Sequence, residues 1–118
     1  MLEGRSILIV EDEMLVLMNI EEVLKDHGCT RITAAATVEQ ALTVLDTLSF
    51  DAAVLDVNLD GKTTHPVADE LLAQGIPFVV STGYAQLALD DSYKNQPVLM
   101  KPYRDEALLR ALTQLLGR

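Results

Sequence analysis

The run Ala52-Ala53-Val54-Leu55 ends on Asp56. Four small or aliphatic residues are too few for a helix and are of the kind that fills a strand buried on both faces. Such a strand needs strands beside it and helices over both faces, which confines the chain to an open α/β architecture. Three further runs have the same form. Ser6–Val10 gives way to Glu11-Asp12-Glu13, Phe78-Val79-Val80 to Ser81-Thr82-Gly83, and Pro97–Met100 to Lys101-Pro102. If the four lie parallel in one sheet, three acids, a hydroxyl and an ammonium converge on its C-terminal edge, where open α/β sheets keep their binding sites.

The segments between these runs read as helices. Over residues 13–27, Val16, Ile20, Val23, Leu24 and His27 share one helical face, and Gly28 follows as a C-cap. His27, at the end of that stripe, reads as a packed or capping residue. Residues 31–35 form a weak strand. Thr37-Val38-Glu39-Gln40 has the form of a capping box, ahead of an inner face of Val38, Ala41, Leu42 and Leu45. After the strand at 52–56 comes a polar loop, Asn58 to Thr64; Pro66 then opens a helix that runs to Gln74 and is stopped by Gly75. A helix with a weaker pattern is expected over 85–94, and in the final one Ala107, Leu108, Ala111, Leu112 and Leu115 share a face. The alternation predicts one α/β domain over residues 1–118, with five parallel strands and five helices.

Of 118 residues, 49% are apolar, enough for a core of ordinary size. With 18 acidic residues against 9 basic ones and no basic run, a direct nucleic-acid partner is not expected. No stretch reads as a membrane span or a secretory signal, so a cytoplasmic location without membrane association is expected. The single cysteine, Cys29, offers neither an internal disulfide nor a thiolate metal cluster.

Glu11, Asp12 and Asp56 carry the chemistry. Like charges a few ångströms apart repel by about 1 to 4 kcal/mol per pair, so their convergence calls for a counter-charge. A hard divalent cation is the simplest: Mg²⁺ prefers oxygen ligands and is held by one or two carboxylates plus a phosphate. Lys101 and Thr82 would complete a site for a phosphoryl group, one neutralising an oxygen and the other hydrogen-bonding to one. Asp56-Val57-Asn58-Leu59-Asp60-Gly61 also fits the start of a calcium-binding EF-hand loop. Its twelfth position is Val67 rather than a bidentate Glu, and a strand precedes it, so that reading is set aside.

In these residues the chain resembles the receiver domains of two-component response regulators. Ile-Leu-Ile-Val-Glu11-Asp12-Glu13, Phe50-Asp51-x4-Asp56, Ser81-Thr82-Gly83-Tyr84 and Lys101-Pro102-Tyr103 follow that family's order and spacing over essentially the whole chain. The resemblance implies a flavodoxin-like, doubly wound sheet with strand order 2-1-3-4-5. It implies that Asp56 is the phosphoacceptor, that Asp12 binds Mg²⁺ directly and Glu11 largely through water, and that the backbone carbonyl of Asn58 is a further ligand. Thr82 and Lys101 would contact the phosphoryl oxygens, and the Lys101-Pro102 bond is expected to be cis. The chain departs from the family in carrying Asp60-Gly61 where a proline is common, and Val98 where the switch aromatic is usual. Thr82-Gly83-Tyr84 is similar to a subgroup named for a Phe-Ala-Thr-Gly-x-Tyr motif, although Val80-Ser81 stands in its first part. Tyr84 is either a substitute switch residue or a half-exposed loop aromatic.

The resemblance implies a signalling phosphoacceptor rather than an enzyme, served by a histidine kinase or histidine phosphotransfer protein and acting on an unidentified downstream protein. The rival readings are a Mg²⁺-dependent phosphatase with an aspartyl-phosphate intermediate, and a scaffold that is never phosphorylated. The first helix adds one more expectation. Met14, Leu15, Leu17 and Met18 leave its first turns apolar almost all round, so Met14, Leu15 and Met18 are candidates for a docking patch. The alternative is that Leu17, together with Leu15, is tucked against the last helix.

Overall fold

The computed structural model describes residues 2–83, 93 and 95–117. In chain order they form β1 (Ser6–Val10), α1 (Met14–Asp26), β2 (Arg31–Ala35), α2 (Val38–Thr47), β3 (Ala52–Asp56), the short strands β4 (Asn58–Leu59) and β5 (Lys62–Thr63), α3 (His65–Ala73), β6 (Phe78–Thr82), β7 (Val98–Met100) and α4 (Asp105–Leu116). Five strands run parallel in the order β2-β1-β3-β6-β7. This is the expected 2-1-3-4-5 order once β4 and β5 are left out of the count. Four helices are present among the described residues; the fifth, expected over 85–94, and Tyr84 lie outside them.

Every residue of β3 is buried, because the strand is paired on both edges and covered on both faces. Alternate side chains feed two separate cores. Leu8, Val10, Leu55, Phe78 and Val80 meet Ala41 and Leu45 of α2 and Val67 and Leu71 of α3. Ile7, Ile9, Val54 and Val79 meet Ile20 and Leu24 of α1 and Leu108 and Leu112 of α4. Edge strand β2 has only Ala35 fully buried, in keeping with its weak sequence pattern.

The register of β1 against β3 is fixed at the end far from Asp56. The Ser6 amide donates to Asp51 Oδ2 at 2.7 Å, and the Asp51 amide donates to the Ser6 carbonyl at 2.7 Å. At the start of α2, the Gln40 amide donates to Thr37 Oγ1 at 3.0 Å while Gln40 Oε1 accepts from the Ala36 amide at 2.8 Å, one residue ahead of the usual capping-box partner.

Two details differ from the expectations. The polar loop 58–64 closes into the antiparallel β4–β5 hairpin, because Asp60 and Gly61 both take positive φ, 50° and 84°, the pair of angles a tight two-residue hairpin turn requires. In α1, Leu17 is buried and Val16 only partly so; the inward stripe is centred on Leu17, Ile20 and Leu24. His27 does cap, its Nδ1–H donating to the Val23 carbonyl at 3.0 Å. No helix among the described residues is long and apolar enough to cross a membrane.

The end of α1 depends on one glycine. The Gly28 amide bonds to the Lys25 carbonyl and the Cys29 amide to the Leu24 carbonyl, each at 3.0 Å, a Schellman arrangement that holds Gly28 at φ 92°. A Cβ there would also lie 2.2 Å from Glu3 Oε2, although that side chain can move aside. Gly28→Ala should therefore cost about 1 to 2 kcal/mol from the left-handed backbone alone. Thermal or urea unfolding would show it, and an unchanged midpoint would mean the turn relaxes without strain.

Candidate functional site

Strand register carries the charged residues to one place. β1 and β3 pair Ile9 with Val54 and Val10 with Leu55, so Glu11 follows β1 at the level of Asp56. β3 and β6 pair Asp56 with Ser81, and β6 and β7 pair Ser81 with Leu99, two residues before Lys101. Glu11, Asp56, Ser81 and Lys101 thus share the sheet face covered by α1 and α4, while Thr82 belongs to the opposite one.

Glu11, Asp12 and Asp56 each bring one carboxylate oxygen within 4.8 Å of the others. Glu11 and Asp56 are buried and Asp12 is exposed. Lys101 Nζ lies between the buried pair, 2.9 Å from Asp56 Oδ2 and 3.1 Å from Glu11 Oε1, with Glu13 Oε1 at 3.7 Å. Two backbone amides complete the pattern: Asn58 donates to Asp56 Oδ1 at 3.2 Å, and Glu13 to Glu11 Oε2 at 3.1 Å. The Lys101-Pro102 peptide is cis.

These contacts set the charge states. Burial, and after it the charge of Asp56, pushes the Glu11 carboxyl from an ordinary 4.5 up to about 7, against the opposing pull of the Glu13 amide and of Lys101. For Lys101, burial works against the charge, yet bonding and attraction to Asp56 and then to Glu11 hold it above the ordinary lysine value. The site therefore keeps a charged ammonium against two carboxyl groups, and burial makes Glu11 easier to protonate than an ordinary glutamate.

Above the pair opens a cleft of about 320 Å³ lined by Asp12, Asp56, Asn58, Thr82 and Lys101, among others. Glu11 lies beneath it, sealed from solvent. The donor set is made of hard oxygens with one exposed carboxylate facing open space, so it could bind a metal ion, and its composition fits a small divalent cation that keeps part of its water. The β4–β5 hairpin rules out the EF-hand reading: Asn58 Oδ1 is engaged by the Gly61 amide at 2.8 Å, and Val67 is buried in the core.

The sequence-predicted residues Glu11, Asp12, Asp56, Asn58, Thr82 and Lys101 all come together at this edge. Met14, Leu15 and Met18 are exposed on the first turns of α1, by 64%, 82% and 54%. Four polar groups beside the site lie outside the sequence-based expectations. Ser81 Oγ and Tyr103 Oη are buried near one another, with no hydrogen-bond partner meeting the full geometric criteria among the described residues. Thr64, wholly buried, bonds to the Asp56 carbonyl and to the hydroxyl of Tyr93. Spacing carries no sign of that last pair, since Thr64 stands in a polar stretch and Tyr93 is 29 residues away.

Known proteins resemble this chain in sequence and fold. The sequence profile of the response regulator receiver domain matches residues 7–113. The transcriptional regulatory protein PdtaR of Mycobacterium tuberculosis is 26% identical over 118 residues, covering 97% of this chain and 58% of its own length, so the chain spans little more than half of that relative. The solution structure of SdrG from Sphingomonas melonis Fr1 is 41% identical with a TM-score of 0.82, over 95% of this chain and 96% of that one. The receiver domain of the sensor histidine kinase PA1611 from Pseudomonas aeruginosa, whose crystal structure has a magnesium ion coordinated in the active-site cleft, is 26% identical with a TM-score of 0.81, over 98% and 99% of the two chains. A profile spanning nearly the whole sequence, and a relative alike along its full length, make this chain a member of the response regulator receiver domain family.

Proposed function

We propose that Asp56 is the phosphoacceptor of this receiver, taking a phosphoryl group from the phosphohistidine of a histidine kinase or histidine phosphotransfer protein in the cytoplasm. The observation that carries the reading is the 2.9 Å contact of Lys101 with Asp56 Oδ2 at the floor of an open, acid-lined cleft. Asp56 stands where a donor can reach it, and the lysine is ready to follow the charge. Attack by Asp56 Oδ2 on phosphorus forms the P–O bond as the P–N bond breaks, and the electron pair stays with the departing imidazole. Lys101 then turns from Asp56 to a phosphoryl oxygen, Thr82 donates to another, and water later hydrolyses the acyl phosphate to restore the carboxylate.

Mg²⁺ is the cofactor that fits. Asp12, Asp56 and the Asn58 carbonyl would hold it, with Glu11 acting through water, and its charge would offset that of the phosphoryl oxygens and the acids together. The magnesium in the PA1611 receiver cleft supports this assignment. The exposed Met14, Leu15 and Met18 lie on the first turns of α1, which follows directly on the cleft residues Asp12 and Glu13, and supply a flexible apolar surface for the phosphohistidine protein.

Acetyl phosphate, or beryllofluoride as its mimic, should label the protein only with Mg²⁺ present and only at Asp56. Intact mass of the parent and of Asp56→Asn decides this; equal labelling of the variant would sink the assignment.

The burial of Glu11 also sets a pH dependence. A carboxyl that binds its proton more tightly folded than unfolded gives the fold its fullest stability below the ordinary value of 4.5, and that contribution is lost as pH rises through about 7. The span corresponds to about 3 kcal/mol. Lys101 stays charged across this window and adds no slope. Metal-free protein should therefore melt at a lower temperature at pH 8 than at pH 5.5, Glu11→Gln should flatten the difference, and Mg²⁺ should raise the midpoint more at pH 8. A parent profile as flat as that of the variant would refute the raised value.

Met14→Lys and Met18→Lys should slow transfer from a phosphohistidine donor at least tenfold, about 1.4 kcal/mol or more, with acetyl phosphate labelling and melting temperature near the parent's. Lost stability with unchanged transfer would show the two residues to be packing groups.

A further inference from the structure

We propose that Thr64 and Tyr93 form a buried relay that couples the state of Asp56 to the turn leading into β7; the inference rests on reading Asp56 as the phosphoacceptor. The usual position for a switch aromatic holds Val98, 37% exposed, so no ring can swing inward from there. Tyr93 does place its ring in the core beside the phosphoacceptor strand. It is 1% exposed, lies in the same cluster as Leu55, Val57 and Val80, and meets the edge of His65 with ring centres 5.3 Å apart at 84°.

The direction of the relay follows from counting protons. Thr64 Oγ1 lies 2.6 Å from the Asp56 carbonyl, 3.1 Å from the Val57 carbonyl and 2.9 Å from Tyr93 Oη. Carbonyls only accept, so the single hydroxyl proton of Thr64 goes to them, the shorter contact being Asp56. Tyr93 must then be the donor to Thr64. A fixed line runs from the Tyr93 hydroxyl through Thr64 to the backbone of the phosphoacceptor. At its other end, the Tyr93 carbonyl accepts from the Gln96 amide at 3.3 Å, and the Pro97 carbonyl accepts from Val80 at 2.8 Å as β7 begins.

Modification of Asp56 alters the bond of Asp56 Oδ1 with the Asn58 amide and so the backbone that Thr64 reads. Thr64 is 0% exposed and bonds at once to the Asp56 carbonyl and to Tyr93, so a displacement of the Asp56 backbone is passed to Tyr93 through one hydroxyl. The β7 side chains that receive the shift, Val98 and Met100, face solvent.

The test is amide NMR of the whole chain before and after beryllofluoride with Mg²⁺, reading Gln96 and Val98–Met100. The parent and Thr64→Ser, which keeps the hydroxyl, should show shifts at these amides. Tyr93→Phe and Thr64→Val should reach the same occupancy of Asp56 with shifts at least threefold smaller. Parent-sized shifts in a fully occupied Tyr93→Phe or Thr64→Val protein would overturn the relay alone, and if one of the two fails to fold the other decides. A parent that takes no beryllofluoride would overturn the phosphoacceptor reading and the relay with it.

Discussion

The ammonium of Lys101 between Glu11 and Asp56 is the contact on which the rest of the site depends. Two buried carboxylates at the end of adjacent strands repel each other, and the peptide environment gives them little of the solvation that water would. Lys101 reaches them from the far side of β6, so a single side chain joins β1, β3 and β7 at their charged ends. It does not neutralise both acids equally. Each acid accepts from Lys101 and one backbone amide, but Asp56 takes the shorter lysine bond, while Glu11 is more deeply sealed and inclined to hold a proton. The result is an acid pair in which one member lines the cleft and the other lies sealed beneath it.

That arrangement is possible only because the sheet is parallel. Each strand ends at the same edge, so residues distant in sequence arrive as a row: 11, 56, 81 and 101 on one face. The two apolar cores then serve different ends. The core under α1 and α4 supports the acids and Lys101, and the core under α2 and α3 holds Thr64 and Tyr93, which touch the end of β3 from behind.

Much of this could be read from the chain itself. The buried run at β3, the order of the strands and the gathering of Glu11, Asp12, Asp56 and Lys101 depend on short apolar runs and on the polar residues that end them, which are local signals. The β4–β5 hairpin was readable in principle, since Asp60-Gly61 is a hairpin dipeptide, but flanking strands of two residues are too short to show alternation. Leu17 and Val16 are adjacent on α1, and only packing against α4 decides which points inward. The Thr64–Tyr93 bond leaves no local trace because both residues are polar-capable types in stretches where either would pass as surface.

Asp51 precedes β3 and Asp56 ends it, and of the two only Asp56 lines the cleft. Asp51 exchanges two short bonds with Ser6 at the end of the sheet remote from the cleft. Because side chains alternate along a strand, a slip of one residue between β1 and β3 would turn Glu11 to the opposite face and take its carboxylate from Lys101. The carboxylate of Asp51 thus acts as a ruler: it measures five residues to the cleft along β3 and five along β1, and the geometry of the cleft end is kept by a group that never meets it.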